Sequence, residues 1–182
     1  MDHALFTQLL EGNRDRVYSH ALYCLRDPED AQDVTQDAFV KLWGNYEDIA
    51  PGKTAGWLMR VVHNLCLDLI RRRKAQRNNF GFPDPNALER LPDRSGRPGP
   101  EDALHLDQQQ RDLLDAMDTL APETRSVMVM HYFQEMKLQE IAEVLGKTVS
   151  ALKVQIHRAR KSLRLVLTSP CEPGLDVKRE TG

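Results

Sequence analysis

Apolar residues recur along most of this chain at spacings of three and four, the period of α-helices that bury one face. Phe6, Leu9, Leu10, Val17, Ala21, Leu22 and Leu25 predict one or two helices at the start. The next element opens in "RDPEDAQDVTQDAFVKLW". There Asp27 can cap, Pro28 suits the first helical position, and Glu29 and Asp30 favour the positive end of the helix dipole. Ala31, Val34, Ala38 and Leu42 form its buried stripe. "GNYEDIAPGKTAG", with three glycines and a proline, predicts a loop. A third helix follows from Trp57 to about Ala75, with Leu58, Val61, Val62, Leu65 and Leu69 on its apolar face.

The pattern dissolves between Gln76 and Pro100, where five prolines and three glycines predict an extended, flexible linker. Helical spacing resumes at Glu101 in "EDALHLDQQQRDLLDAMDTL", and Pro122 opens another helix in "PETRSVMVMHYFQ". A pair of short helices follows in "LQEIAEVLGKTVSALKVQIHRARKSLR". Strand signals are almost absent. The expected fold is therefore all-α: two small helical domains, residues 1–76 and 101–168, on a flexible linker of residues 77–100, with a disordered tail at 169–182. Each domain is near the lower size limit for a self-sufficient core.

The last pair carries the most specific local signal. Leu138, Ile141, Ala142 and Leu145 line one face of its first helix, and Gly146 can adopt the left-handed conformation that ends it. Thr148 is a plausible N-cap for the second helix, whose stripe is Val149, Leu152, Ile156, Ala159 and Leu163. Two short helices joined by a tight turn make a helix-turn-helix, which sets the start of its second helix in the major groove of DNA. A basic amphipathic helix is also what an ordinary solvated face looks like. Here Lys147 to Arg164 holds six lysines and arginines and no acid, which favours phosphate as the partner.

Charge changes the picture further. The chain has a net charge of −2 and a pI near 6.3, so its basic segments are local. Between Lys53 and Arg77 seven basic residues face the single acid Asp68. With Tyr46 and Trp57 nearby, that segment fits single-stranded nucleic acid, which wants cations beside an aromatic platform. Core packing is the better reading for Trp43, and Trp57 fits either role. Conversely, seven acids between Asp27 and Asp48 face only Lys41. Such a helix repels DNA and suits a protein partner with a basic surface.

Other classes find little support. No run approaches the roughly 18 apolar residues that span a bilayer, so no membrane insertion is expected. The start lacks a secretory pattern, which leaves the cytoplasm as the expected compartment. Cys24, Cys66 and Cys171 are far apart, and neither they nor the six histidines cluster as metal ligands, so no metal and no cofactor are expected. Cys24 and Cys66 read as small buried hydrophobes. No phosphate-binding loop, zinc-protease motif or nucleophile motif is present, which argues against an enzyme.

"DPEDAQDVTQDAFVKLW", "GWLMRVVHNLCLDLIRRRK" and "LAPETRSVMVMHYFQEMKLQEIAEVLGKTVSALKVQIHRARKSL" resemble, in order and spacing, the blocks of ECF-type (extracytoplasmic function) bacterial sigma factors. The resemblance implies a promoter-specificity subunit that binds core RNA polymerase at the β′ clamp helices and the β flap. It implies that the first domain reads and melts the −10 element and the second reads the −35 element as duplex. It assigns Asp33, Gln36 and Asp37 to the clamp, and Asn64 with the loop Glu47 to Ala55 to a flipped base. Arg71, Arg72, Arg73 and Lys74 would hold the backbone. Lys153, Val154, His157 and Arg158 match the −35 reading positions, with Ser150 and Lys161 on the same face. A separate anti-sigma protein would regulate the chain.

Departures stand at Ser150, where many relatives have glycine, at Gln155, where they have arginine, and at Val154, a frequent serine. Val154 could touch a thymine methyl or a sugar but cannot donate a hydrogen bond. His157 can stack, donate, or simply cover the helix. The rival reading is a stand-alone regulator with a LuxR-like helix-turn-helix, which would call for an α/β sensor and a palindromic site.

Overall fold

The computed structural model describes residues 3–50, 52–79 and 108–168, with the side chains of 77–79 left aside. Among these residues there is no strand. In order, α1 is His3–Leu25, α2 is Pro28–Asn45, and a 3₁₀ turn covers Tyr46–Asp48. α3 is Thr54–Asn79, α4 is Gln108–Asp118, and α5, Pro122–Met128, runs into a π turn at Val129–Phe133. α6 is Leu138–Leu145 and α7 is Val149–Thr168. The expected linker from residue 80 onward, residues 101–107 and the tail from 169 lie outside the described residues.

The opening stripe forms one helix. α1 ends at Arg26, which takes φ 61° while its N–H donates to Leu22 O at 2.8 Å. α2 starts as its sequence dictates: Asp27 Oδ1 accepts from Asp30 N at 3.0 Å, with Pro28 in the first turn. α3 starts three residues before Trp57, at Thr54. The turn at Gly52, φ 75°, lets Lys53 N reach Ala50 O, and Trp57 N then closes on Lys53 O at 2.9 Å. It also runs on to Asn79, into the stretch expected to be linker.

Val17, Ala21 and Cys24 of α1 meet Ala31, Val34, Ala38 and Leu42 of α2 and Leu58, Val62 and Cys66 of α3 in an apolar core. Leu114, Met117, Val127, Met130, Ile141, Leu152, Ile156 and Leu163 fill the second domain. A fully buried leucine or isoleucine contributes on the order of 1.5–3 kcal/mol. Trp43 departs from expectation. It is 49% exposed and lies edge-on to Phe6 at 4.9 Å, because it sits one position past the stripe residue Leu42.

The domains do not stand apart. α5, the π turn and α6 pack on α1 and α3, and the buried residues of both domains belong to one apolar cluster.

α6 ends on Gly146 at φ 65°, and Lys147 N donates to Ala142 O at 3.0 Å. Nothing lies within 4 Å of where a Cβ would stand, so substitution there meets backbone strain alone. Gly146→Ala is expected to lower stability by about 1–2 kcal/mol, the cost of a left-handed alanine. Denaturant unfolding should show the midpoint fall with an unchanged slope.

Candidate nucleic-acid and partner interfaces

The helix-turn-helix is built by the residues that predicted it. Ile141 and Val144 bury the inner face of α6. Thr148 Oγ1 accepts from Ala151 N at 3.2 Å and so caps α7. Leu152, Ile156, Ala159 and Leu163 hold α7 down. Ser150, Lys153, Val154, His157, Arg158 and Lys161 are consequently all exposed. Val154 presents an apolar surface, 50% exposed, between cations. Gln155 is different. Its Nε2 donates to Thr124 Oγ1 at 3.0 Å, so it fixes α7 against α5 and is occupied within the domain.

On α3, Asn64 is exposed, as are Arg71, Arg72 and Lys74, while Arg73 is half-buried. Two of these cations already have carboxylates. Arg71 Nη1 is 3.2 Å from Asp68 Oδ1, and its Nη2 is 3.5 Å from Glu123 Oε1 of α5. Arg73 pairs with Asp30 of α2. Burial raises the Asp30 carboxyl above its usual range; Arg73 opposes this shift and only partly offsets it. At the other end of α3, Lys53 Nζ is 3.2 Å from Glu143 Oε2 of α6. The structure thus brings the residues assigned to the −10 element onto one helix and adds acids from the second domain.

α2 offers a different surface. Asp33, Gln36 and Asp37 are exposed on adjacent turns. Beside them lies an open apolar groove lined by Phe6, Leu10, Phe39, Val40 and Trp43. Val40 is 70% exposed there. The sequence signal for this groove was an apolar residue at positions 40 and 43, off the buried stripe.

A third arrangement was missed in the sequence. Ser126 of α5 is buried between two histidines: His63 Nδ1 lies 2.6 Å from its Oγ, and His20 Nε2 lies 3.1 Å from it. His20 Nε2 is also 3.5 Å from Cys24 Sγ. Burial, with His20 and then Lys147 adding to it, lowers the His63 pKa to about 4, and Cys24 and Glu123 oppose this. The hydrogen bond with Cys24, and after it burial, push the Cys66 thiol well up. Among the described residues no group of three or more His, Cys, Asp and Glu side chains is placed to hold a metal, and no helix is long and apolar enough to cross a membrane.

Two family models match the chain. Residues 9–76 match the family model "Sigma-70 region 2", and residues 110–163 match "Sigma-70, region 4". The "RNA polymerase sigma-E factor" of Streptomyces avermitilis is 32% identical over 165 residues, covering 90% of this chain and 86% of that protein. The "ECF RNA polymerase sigma factor SigE" of Mycolicibacterium smegmatis is 33% identical over 157 residues; the match covers 86% of this chain but spans only 59% of that relative. Among solved structures, the sigma factor RpoE in complex with the anti-sigma factor NepR from Bartonella quintana aligns at TM-score 0.69 and 17% identity. That alignment covers 91% of this chain and 98% of the other, and it speaks for the fold. CnrH, in complex with the cytosolic domain of CnrY, aligns at TM-score 0.63 and 26% identity over 91% and 89% of the two chains.

Proposed function

The chain belongs to the sigma-70 family, among the ECF-type RNA polymerase sigma factors, and from that membership we propose how its surfaces divide the work of initiation. α2 docks on the β′ clamp helices through Asp33, Gln36 and Asp37, and the second domain meets the β flap. Asn64 with the loop Glu47 to Ala55 takes a flipped base of the −10 element, an extrusion that costs a few kcal/mol and needs pocket contacts to offset it. Arg71, Arg72, Arg73 and Lys74 hold the backbone beside it. α7 enters the major groove of the −35 element with Lys153, Val154, His157 and Arg158 at the reading positions and Ser150 and Lys161 on the same face. The protein acts by binding, with no catalysis of its own, and works in the cytoplasm beside the polymerase. A separate anti-sigma protein covers these surfaces when transcription is off.

The observation that carries this reading is the segregation of charge on separate exposed faces, acidic on α2 and basic on α3 and α7. A free-standing LuxR-like regulator gives the acidic face no task.

Magnitudes make recognition depend on the polymerase. About four phosphate contacts give a salt slope near −3.6, which leaves a small monomeric domain weakly bound at physiological salt. Each good base contact adds about 1–3 kcal/mol. Two weak domains gain from effective concentration once a rigid polymerase spaces them. Fluorescence anisotropy of a promoter fragment, at about 150 mM salt with competitor, should show specific binding only with this protein and core polymerase together. Tight specific binding by the chain alone would replace this reading with a free-standing regulator.

A further inference from the structure

The side chains that open the outer face of α7 are of two kinds. Ser150, Lys153, His157 and Arg158 are polar and exposed. Ala151 and Val154 are apolar and exposed, Val154 at 50%. Three residues apart, these two stand side by side on the first two turns of the helix. The cap at Thr148 and the buried stripe of Leu152, Ile156 and Ala159 fix them outward. On one side they border an open groove whose far wall is the turn at residues 119–121, and Val154 keeps half its surface in water. Gln155 does not add to this surface. A glutamine reads adenine with both ends of its amide, and here Nε2 is already bonded to Thr124 Oγ1 at 3.0 Å.

Charge fixes the class of partner. Lys147 to Arg164 holds six lysines and arginines and no acid, which suits a phosphate backbone. Within the major groove the base edges present hydrogen-bond donors and acceptors, and the one apolar group that projects from them is the C5 methyl of thymine. A valine pressed against a donor or acceptor strips it of water and returns no hydrogen bond. Against a methyl it removes apolar surface from water on both sides. Sugars also offer carbon, but they line the rim of the groove, whereas residues 151 and 154 belong to the start of the helix, the part that faces base edges.

We propose that Ala151 and Val154 form a methyl-reading patch, so that the −35 element of this chain contains a thymine recognised through its C5 methyl. This rests on the placement of α7 in the −35 element proposed above. The polar side chains on either flank set the register, and the patch discriminates at one step. Cytosine there lacks the methyl, and adenine and guanine present N7, an acceptor that neither side chain can satisfy. A cytosine methylated at C5 carries the missing group and regains the contact.

The test uses the full chain assembled with core polymerase. Promoter fragments randomised across the −35 element, bound by the assembled enzyme and sequenced, give the preferred site, with a thymine expected at a fixed position. Deoxyuridine then replaces the thymines of that site one at a time, on both strands, which removes the methyl and nothing else. Competition anisotropy should find a position where uracil weakens binding about fourfold, the worth of one buried methyl. At that position 5-methylcytosine should bind better than cytosine by a similar factor. In Val154→Ser both ratios should fall to about one, and in Val154→Ala they should shrink. Each ratio compares two DNAs on the same protein, so misfolding of a variant does not move it. A selected site made of G·C pairs alone, a parent chain indifferent to uracil at every thymine, or ratios unchanged in Val154→Ser would overturn the proposal. Binding that ignores the −35 sequence altogether would remove the −35 assignment of α7, and the methyl-reading patch with it.

Discussion

Asp33→Arg with Asp37→Arg should lower affinity for core RNA polymerase by about two orders of magnitude. Both carboxylates stand exposed on α2, one turn apart, and neither has a structural duty in the helix. Close charge pairs across protein interfaces couple by about 1.5 kcal/mol or more each. Two such losses come to about 3 kcal/mol, and every 1.4 kcal/mol is tenfold. Reversal would also set like charges against the basic partner surface that an acidic α2 calls for, which slows association as well as speeding release. The helix itself should survive, because its cap at Asp27 and its stripe of Ala31, Val34, Ala38 and Leu42 are untouched. A competition titration against labelled parent chain, with thermal melts alongside, checks the point. Affinity within about threefold of the parent chain, measured below the roughly 0.15 M salt at which exposed charges are screened beyond about 8 Å, would take α2 out of the interface.

How much of this was legible follows the range of the contacts involved. The start and the buried stripe of α2 could be read, since its cap, first-turn proline, acidic first turn and stripe are all local. The helix-turn-helix was equally plain: Gly146, Thr148 and the stripe of α7 each do what their chemistry predicts. α3 was misplaced at its start because Gly56 reads as a breaker, yet the helix accepts it and turns it toward Val144. Trp43 was assigned to the core because it lies near the apolar stripe, whereas its position next to Leu42 turns it outward. The seam between the domains was illegible for a stricter reason. His20 and His63 sit in apolar stripes and Ser126 inside an apolar run, so each reads as an isolated polar residue in a core. Their meaning lies in meeting one another from opposite ends of the chain, and no spacing encodes that. The same holds for the cations of α3: the sequence gives their charge, while only the fold shows Glu123 and Glu143 set against two basic side chains.

Lowering the pH from 7 to 5 should loosen the packing of α5 on α1 and α3. His63 is the group responsible. Its pKa is lowered to about 4 in the packed form, chiefly by burial, against an ordinary 6.5. Once the second domain leaves, Ser126, Lys147 and Glu123 leave with it, and the ring regains solvent. His20, Cys24 and Cys66 remain around it from α1 and α3. Between pH 6.5 and 4 the loosened form thus binds more protons than the packed form, so the packing weakens as pH falls through that window. The contribution is fully present at neutral pH and is lost as pH falls toward 4. Scattering or a labelled-pair distance measured at pH 7, 6 and 5, with helix content followed in parallel, reads the loosening. His63→Gln keeps a side chain able to hydrogen-bond Ser126 but cannot titrate, so its profile should be nearly flat. An equally steep profile in His63→Gln would assign the pH response to other groups and remove His63 from that role.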